Sequence, residues 1–373
     1  MNPISVLVVD DSALMRNLIR RMLETDEEIN VVGVAMNGQF AMRKTETLKP
    51  DVIVLDLEMP ELDGIGFLEE RKKRGWTIPV VILSAVAKKG AEVTMRALSL
   101  GASDFITKPT GKDPDSNKAT AEQLVGMVKG FGAAYRKAMG TKEPSRPVAP
   151  PKKTPAPRVP TPGVSRKQPD WPELKPKQSP APPEIIAIGI STGGPNALRQ
   201  VFAGISEHLK VPIVVVQHMP PGFTAEFANS LNKICPLEVK EAVDGDILKP
   251  GRILIALGDR HIRVEKRRLA AVARLEDGDT VNGHKPSVGV LFDSVSAQYG
   301  NAALAIIMTG MGRDGSREIG RIYEQGSMTL AQDEESSVVF GMPRVAIEHK
   351  YITQVVSLED MSAAINELAG ALD

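Results

Sequence analysis

The 373-residue chain has one cysteine, Cys235, so no internal disulfide can form. That excludes a disulfide-stapled fold and fits a reducing compartment. Aromatic residues make up only 4% of the chain, and there are five histidines. Lys+Arg and Asp+Glu are 46 each, so there is no excess charge of either sign. A neutral chain offers no global field for nucleic acid or a membrane surface. No apolar run approaches the ~20 residues of a membrane-spanning helix. Met1–Ile19 carries Asp10 and Asp11 in its first apolar stretch, which argues against a secretory signal. The expectation is a cytoplasmic protein with no nucleic-acid partner, long enough for two domains.

Proline is concentrated in one place. Thr141–Pro183 holds 14 of the 28 prolines, with nine Lys/Arg against three Asp/Glu. Such a segment has little to bury and favours extended conformations. It reads as an exposed linker, residues 141–183, between domains at 1–140 and 184–373.

Before the linker, β-branched runs alternate with helical patterns. Ile4–Val9, Val31–Ala35, Val52–Leu57, Val80–Ser84 and Phe105–Thr107 read as strands. Ala13–Glu24, Gly38–Leu48, Gly64–Arg74, Ala91–Leu100 and Ala121–Met139 read as helices. After the linker, strand candidates are Ile185–Ile190, Ile213–Gln217, Ile253–Ala256, Ala303–Thr309 and Ser327–Ala331. Helix candidates are Pro195–Glu207, Thr224–Ile234, Ser287–Tyr299, Arg313–Glu324 and Met361–Leu372, with a hairpin-like insert at Arg263–Arg274. Alternation of this kind predicts an α/β protein with two doubly wound, mostly parallel sheets, the second with an antiparallel edge.

In the first half, Asp10 and Asp11, Asp56, Ser84 and Lys108-Pro109 all fall at strand ends, which line one crevice in an open parallel sheet. Strand-end aspartates also serve as helix caps, and Asp10-Asp11 alone reads either way. The full set points to a hard cation such as Mg²⁺ among carboxylates, with a phosphoryl-accepting aspartate and a balancing lysine. At these residues the half, from about Ile4 to Met139, resembles a response-regulator receiver domain, a flavodoxin-like fold. The resemblance implies that Asp56 accepts phosphate from a histidine kinase. It implies that Asp10, Asp11, Asp56 and the carbonyl of Glu58 form the Mg²⁺ site, and that Ser84, Phe105 and Lys108 form the switch.

In the second half, Gly189-Ile190-Ser191-Thr192-Gly193 fits the G-x-S-x-G turn between strand and helix. Taken alone it reads as a nucleophile elbow, a phosphate-binding loop or a structural turn. His218 ends a second apolar strand, and Asp314 follows Thr309-Gly310-Met311-Gly312 at a third; alone, each has a structural explanation. Together they place a serine, a histidine and an aspartate on one rim, the groups of nucleophilic acyl transfer. Their order is Ser…His…Asp, whereas an α/β-hydrolase has Ser…Asp…His.

Three groups of matches extend the pattern: Ser191-Thr192-Gly193-Gly194 with Gln217-His218-Met219; Lys285-Pro286-Ser287-Val288; and Gln332-Asp333-Glu334 with Val338–Pro343. On these, Glu184–Leu372 resembles the Rossmann-like catalytic domain of the chemotaxis-specific protein-glutamate methylesterases. The resemblance implies hydrolysis of glutamate methyl esters, and deamidation of glutamine, on chemoreceptors. Ser191 is then the nucleophile, His218 the base and Asp314 its orienter. The N–H groups of Thr192 and Met311 are the oxyanion donors, with no cofactor in this half. Arg199, Arg313 and Arg344 are candidates for local substrate contacts, and Asp293 and Asp333 are the alternatives to Asp314. One departure is Gly289, where the family usually carries Asp after Pro-Ser-Val. Two other classes compete. A DNA-binding regulator needs a basic helix-turn-helix, which the residues after Pro183 do not suggest. A non-catalytic adaptor leaves Ser191 unreactive.

Overall fold

The structure is a computed structural model and describes residues 2–85, 88–109, 114–140 and 179–370. The proline-rich segment therefore lies outside the described residues except for its last five positions.

The first half is a five-stranded sheet. Its strands are β1 (Ile4–Val9), β2 (Ile29–Ala35), β3 (Val52–Asp56), β4 (Val80–Ser84) and β5 (Asp104–Thr107). They run parallel in the order β2-β1-β3-β4-β5. β3 and β4 are buried at every position, which is why they read as unbroken apolar runs rather than alternating ones. Helices α1 (Ala13–Leu23), α2 (Gly38–Leu48), α3 (Gly64–Lys73), α4 (Lys88–Ser99) and α5 (Pro114–Gly140) connect and flank them. Ser12, Asn37 and Asp63 cap α1, α2 and α3 by accepting from backbone N–H groups. Such caps are worth about 1 kcal/mol each.

The second half is a seven-stranded sheet. Its strands are β6 (Ile185–Ile190), β7 (Ile213–Gln217), β8 (Glu238–Glu241), β9 (Arg252–Ile255), β12 (Ala303–Ile307), β13 (Met328–Gln332) and β14 (Gln354–Val356). The order is β14-β13-β12-β6-β7-β9-β8. Every pairing is parallel, so the expected antiparallel edge does not exist in this sheet. Among the described residues, antiparallel strand pairing forms the separate hairpin of β10 (His261–Lys266) and β11 (Ala271–Glu276), where the insert was expected, with isolated antiparallel bridges at Ile247–Val272 and Val281–His284. The helices are α6 (Gly194–Ala203), α7 (Thr224–Asn232), α8 (Val288–Tyr299), α9 (Glu318–Glu324), α10 (Met342–Glu348) and α11 (Met361–Leu368).

Two further differences from the sequence reading have local causes. β8, β14 and α10 are three to seven residues long, and the two strands lie at sheet edges. Segments that short fill too little of the window over which apolar periodicity can be read. The helix expected from Arg313 begins only at Glu318, because Gly315 has φ 77° and the preceding residues form a turn.

The two halves share a buried apolar cluster. It runs from Leu7, Leu55 and Phe105 to Ile190, Phe223 and Phe227. The Phe105 and Phe223 rings stack with centroids 4.8 Å apart at 25°. Such a pair is worth ~0.5–1.5 kcal/mol beyond its buried area.

Candidate active site

In the larger sheet, β6 is followed on one side by β7 and on the other by β12. This is the topological switch point, where the carboxyl ends of parallel strands open a crevice. Register sets its contents. Ile190 pairs with Gln217, so Ser191 and His218 emerge side by side, and β12 pairs with the other edge of β6.

Ser191 Oγ lies 3.1 Å from His218 Nδ1, and His218 Nε2 lies 2.8 Å from Asp314 Oδ2. The imidazole is therefore turned relative to the serine-protease template, in which Nε2 faces the serine. Ser191 itself is not in the left-handed region; the turn is made by Gly193, φ 80°. The strained elbow of the α/β-hydrolases is thus absent, and unstrained backbone delivers the hydroxyl. Gly310 brings β12 close behind: a Cβ there would meet the Ser191 Cβ at 2.8 Å.

Asp314 is buried and accepts five hydrogen bonds. Oδ1 takes them from Ser287 Oγ (2.7 Å), Asn282 Nδ2 (3.0 Å) and Gly289 N (3.2 Å). Oδ2 takes them from His218 Nε2 and Val288 N (2.7 Å). Burial alone would raise its pKa. The bond and charge of His218, with Ser287 and Asn282, outweigh burial and bring it down to about 2. A carboxylate so held stays ionised and keeps one orientation toward the imidazole.

Sequence reasoning assigned no role to Asn282, His284 or Ser287. The His284 ring stacks on His218, with centroids 3.7 Å apart and planes 10° from parallel. Burial pushes the His284 pKa down to about 4, and the neighbouring His218 acts in the same direction while Asp314 opposes it. The second ring is therefore neutral near pH 7. The signal for Ser287 lay in Lys285-Pro286-Ser287-Val288, whose spacing is informative only once the N-terminus of α8 is known to abut Asp314.

The N–H groups of Thr192, next to Ser191, and of Met311, next to the Gly310 that abuts it, have no protein acceptor among the described residues. Asp293 is paired with Arg321 and Asp333 with Ser336, so neither alternative to Asp314 reaches the imidazole. Arg199 bonds Ser230 and Arg344 approaches Glu348; Arg313 is exposed.

The crevice is covered. Ser191 is 8% and Thr192 4% exposed. The cavity beside Ser191, Gln217 and His218 is closed from the other half by Asp104, Phe105, Gln123 and Met127. Asp104 Oδ2 accepts from the Gly193 N–H at 2.7 Å, and Asn196 Nδ2 donates to the carbonyls of Ala102 and Ser103 at 2.9 Å. Ser191 therefore lies under this contact rather than open to solvent.

The first half has its own constellation. Asp10, Asp11 and Asp56 place ligand oxygens within 4.8 Å of one another, a spacing a small cation fits. Lys108 Nζ sits 3.1 Å from Asp10 Oδ2 and 2.6 Å from Asp56 Oδ2. Burial raises the Asp56 pKa to about 6, with Lys108 opposing and Asp10 reinforcing. Those buried oxygens face the Lys108 ammonium and no other donor among the described residues, which suits a hard cation. The Glu58 N–H donates to Asp56 Oδ1 (3.2 Å), and Ser84 Oγ lies 2.6 Å from Thr94 Oγ1. Phe105 is buried against Phe223.

Residues 186–365 match the family described as CheB methylesterase, and residues 6–116 match the response regulator receiver domain. A protein-glutamate methylesterase/protein-glutamine glutaminase of Treponema denticola is 55% identical over 98% of this chain and 98% of its own. One from Treponema pallidum is 46% identical over 98% of this chain and 97% of its own. The solved Thermotoga maritima CheB methylesterase catalytic domain shares 36% identity, covering 51% of this chain and 99% of that one, with a TM-score of 0.49. With such identity over nearly the whole of both chains, this chain belongs to the protein-glutamate methylesterase/protein-glutamine glutaminase family.

Proposed function

We propose that the chain is a phosphorylation-controlled esterase. It hydrolyses glutamate γ-methyl esters, and deamidates glutamines, on the cytoplasmic helices of chemoreceptors. The observation that carries this reading is the unbroken chain from Ser191 Oγ through His218 to Asp314.

Ser191 Oγ attacks the side-chain carbonyl while His218 Nδ1 takes its proton. The developing oxyanion is met by the unused N–H groups of Thr192 and Met311. His218 returns the proton to the leaving oxygen and methanol departs, or ammonia from a glutamine. Water, deprotonated by His218, then releases the glutamate. Asp314, ionised and fixed by five donors, holds the imidazole and balances its transient charge. The neutral ring of His284 supports the same imidazole from its face.

The domains of this reading are a receiver at 1–140, a linker at 141–183 and a catalytic domain at 184–373. In the receiver, Asp56 is the phosphoryl acceptor for a histidine kinase. Asp10, Asp11 and Asp56, with the Glu58 carbonyl, would hold Mg²⁺, which offsets phosphoryl charge when bound. Lys108 pairs with Asp56 before phosphorylation and is placed to balance the added charge afterwards. Ser84 and Phe105 transmit the change, Phe105 through its stack on Phe223. The receiver thus covers Ser191 when unphosphorylated.

The deciding experiment is labelling with a serine-directed phosphonate, followed by peptide mapping and methanol release from a methylated receptor. Label at Ser191 and loss of both signals in Ser191→Ala support the reading. An adaptor would neither label nor release methanol.

A further inference from the structure

Gly289 is the second residue of α8, and its N–H serves Asp314 Oδ1 and Ser287 Oγ. The space where its side chain would start is already taken. A Cβ built there would lie 3.0 Å from both the carboxyl carbon and Oε2 of Glu318, and 3.3 Å from Asp314 Oδ1. Two carboxylates thus converge on one point: Asp314 from the turn after β12 and Glu318 from the first residue of α9. Glu318 Oε2 is buried with no hydrogen-bond partner among the described residues. Arg321, one turn along α9, gives its Nη1 to Asp293 on α8 at 2.7 Å. The charged groups facing Glu318 are therefore Asp293, Asp314 and Arg321. Burial raises its pKa, and both aspartates act in the same direction while Arg321 opposes them.

We propose that Glu318 is a positioning residue of the esterase site: its carboxylate occupies the room left by Gly289 and supplies a second negative charge behind the Asp314–His218 pair. The inference rests on the esterase reading above. When His218 accepts the serine proton, a positive charge forms at the imidazole. Two carboxylates behind it favour that charge more than one does. A buried carboxylate oxygen without a partner is costly to keep as mere filling, whereas beside a developing cation it contributes to the reaction. The departure at Gly289 is then matched by a carboxylate delivered from the neighbouring helix.

The test uses the full chain, activated by a small phosphodonor, with methanol release read across pH. Glu318→Gln keeps shape and removes charge. The expected result is a fall of about three- to tenfold in kcat with KM little changed, and an acid limb moved to lower pH. Glu318→Gly should be at least as impaired, and adding Gly289→Asp to it should recover most of the loss by returning a carboxylate from α8. Gly289→Asp with Glu318 retained should be impaired, since two carboxylates then claim one space. An unchanged pH profile in Glu318→Gln, or a double variant no better than Glu318→Gly, overturns the proposal. Loss of thermal stability without movement of the acid limb also overturns it, as mere packing. Methanol release that persists in Ser191→Ala overturns the parent reading instead.

Discussion

The Asp104 carboxylate accepts a 2.7 Å hydrogen bond from the backbone N–H of Gly193, two residues beyond Ser191. The contact joins the receiver strand that carries Phe105 to the turn that carries Ser191. Asp104 is buried and, among the described residues, accepts from the N–H groups of Gly193 and Phe105 alone. Burial raises its pKa to about 7, although both N–H bonds pull it down.

That contact makes the cover over Ser191 sensitive to pH. When the halves separate, Asp104 returns to the ordinary carboxylate range near 4. The closed form then binds the proton more tightly than the open form. Its extra stability is full below about pH 4 and is lost as pH rises through about 7. The unphosphorylated chain should therefore be more strongly inhibited at pH 6 than at pH 8, relative to a fragment of residues 184–373. Asp104→Asn should remove that pH dependence. A constant ratio of the two activities from pH 6 to 8 would show that Asp104 does not couple to opening.

The fragment itself provides the second test. It should exceed the unphosphorylated whole in methanol release, and phosphorylation should raise the whole at least to the fragment's level. A receiver tethered in the same chain is at high effective concentration, so even a weak contact suffices. A fragment no faster than the whole would mean that the receiver acts by recruitment rather than as a lid.

Asp314→Asn should cost roughly 10⁴ in rate while leaving the fold intact, because the amide cannot hold both the imidazole and four further donors as the carboxylate does. Ser191→Ala should lower activity at least as much. Full activity in Asp314→Asn would move the orienting role elsewhere, although Asp293 and Asp333 are already engaged.

His284→Ala should reduce kcat by about three- to tenfold, the equivalent of an aromatic stack worth ~0.5–1.5 kcal/mol. His284→Phe keeps a neutral ring over His218 and should retain most of the activity. If Phe is as damaging as Ala, a ring nitrogen of His284 matters and the stack alone does not.

Asp56 should take one phosphoryl group from a small phosphodonor only with a divalent cation present, read as a shift in intact mass with and without a chelator. Asp10, Asp11 and Asp56 hold oxygens within 4.8 Å of one another, so further negative charge there needs more compensation than Lys108 gives. A shift that persists in Asp56→Asn would reassign the site.

Much of the molecule was legible from the chain because its strands are buried on both faces. β3, β4, β6, β7 and β12 read as unbroken apolar runs, each ending at a residue with chemistry: Asp56, Ser84, Ser191, His218 and the Asp314 turn. The edge strands β8 and β14 were not legible, because Glu238–Glu241 is short, charged and half exposed. The late start of α9 was missed because the Asp314 turn intervenes between strand and helix.

The order of residues determined which side chains stand at strand ends, since a parallel sheet puts every carboxyl end on one rim. It thereby set an acidic cluster on one sheet and a serine, a histidine and an aspartate on the other. Only the tertiary structure decided how those side chains engage. Hydrogen bonds depend on distances of a few tenths of an ångström, and spacing along the chain does not set them. Packing turned the His218 ring so that Nδ1 faces Ser191, brought the start of α8 onto Asp314, and stacked His284 on His218. Packing also laid Asp104 and Phe105 over Ser191, joining Asp104 to Gly193, 89 positions away, in a contact no local pattern records.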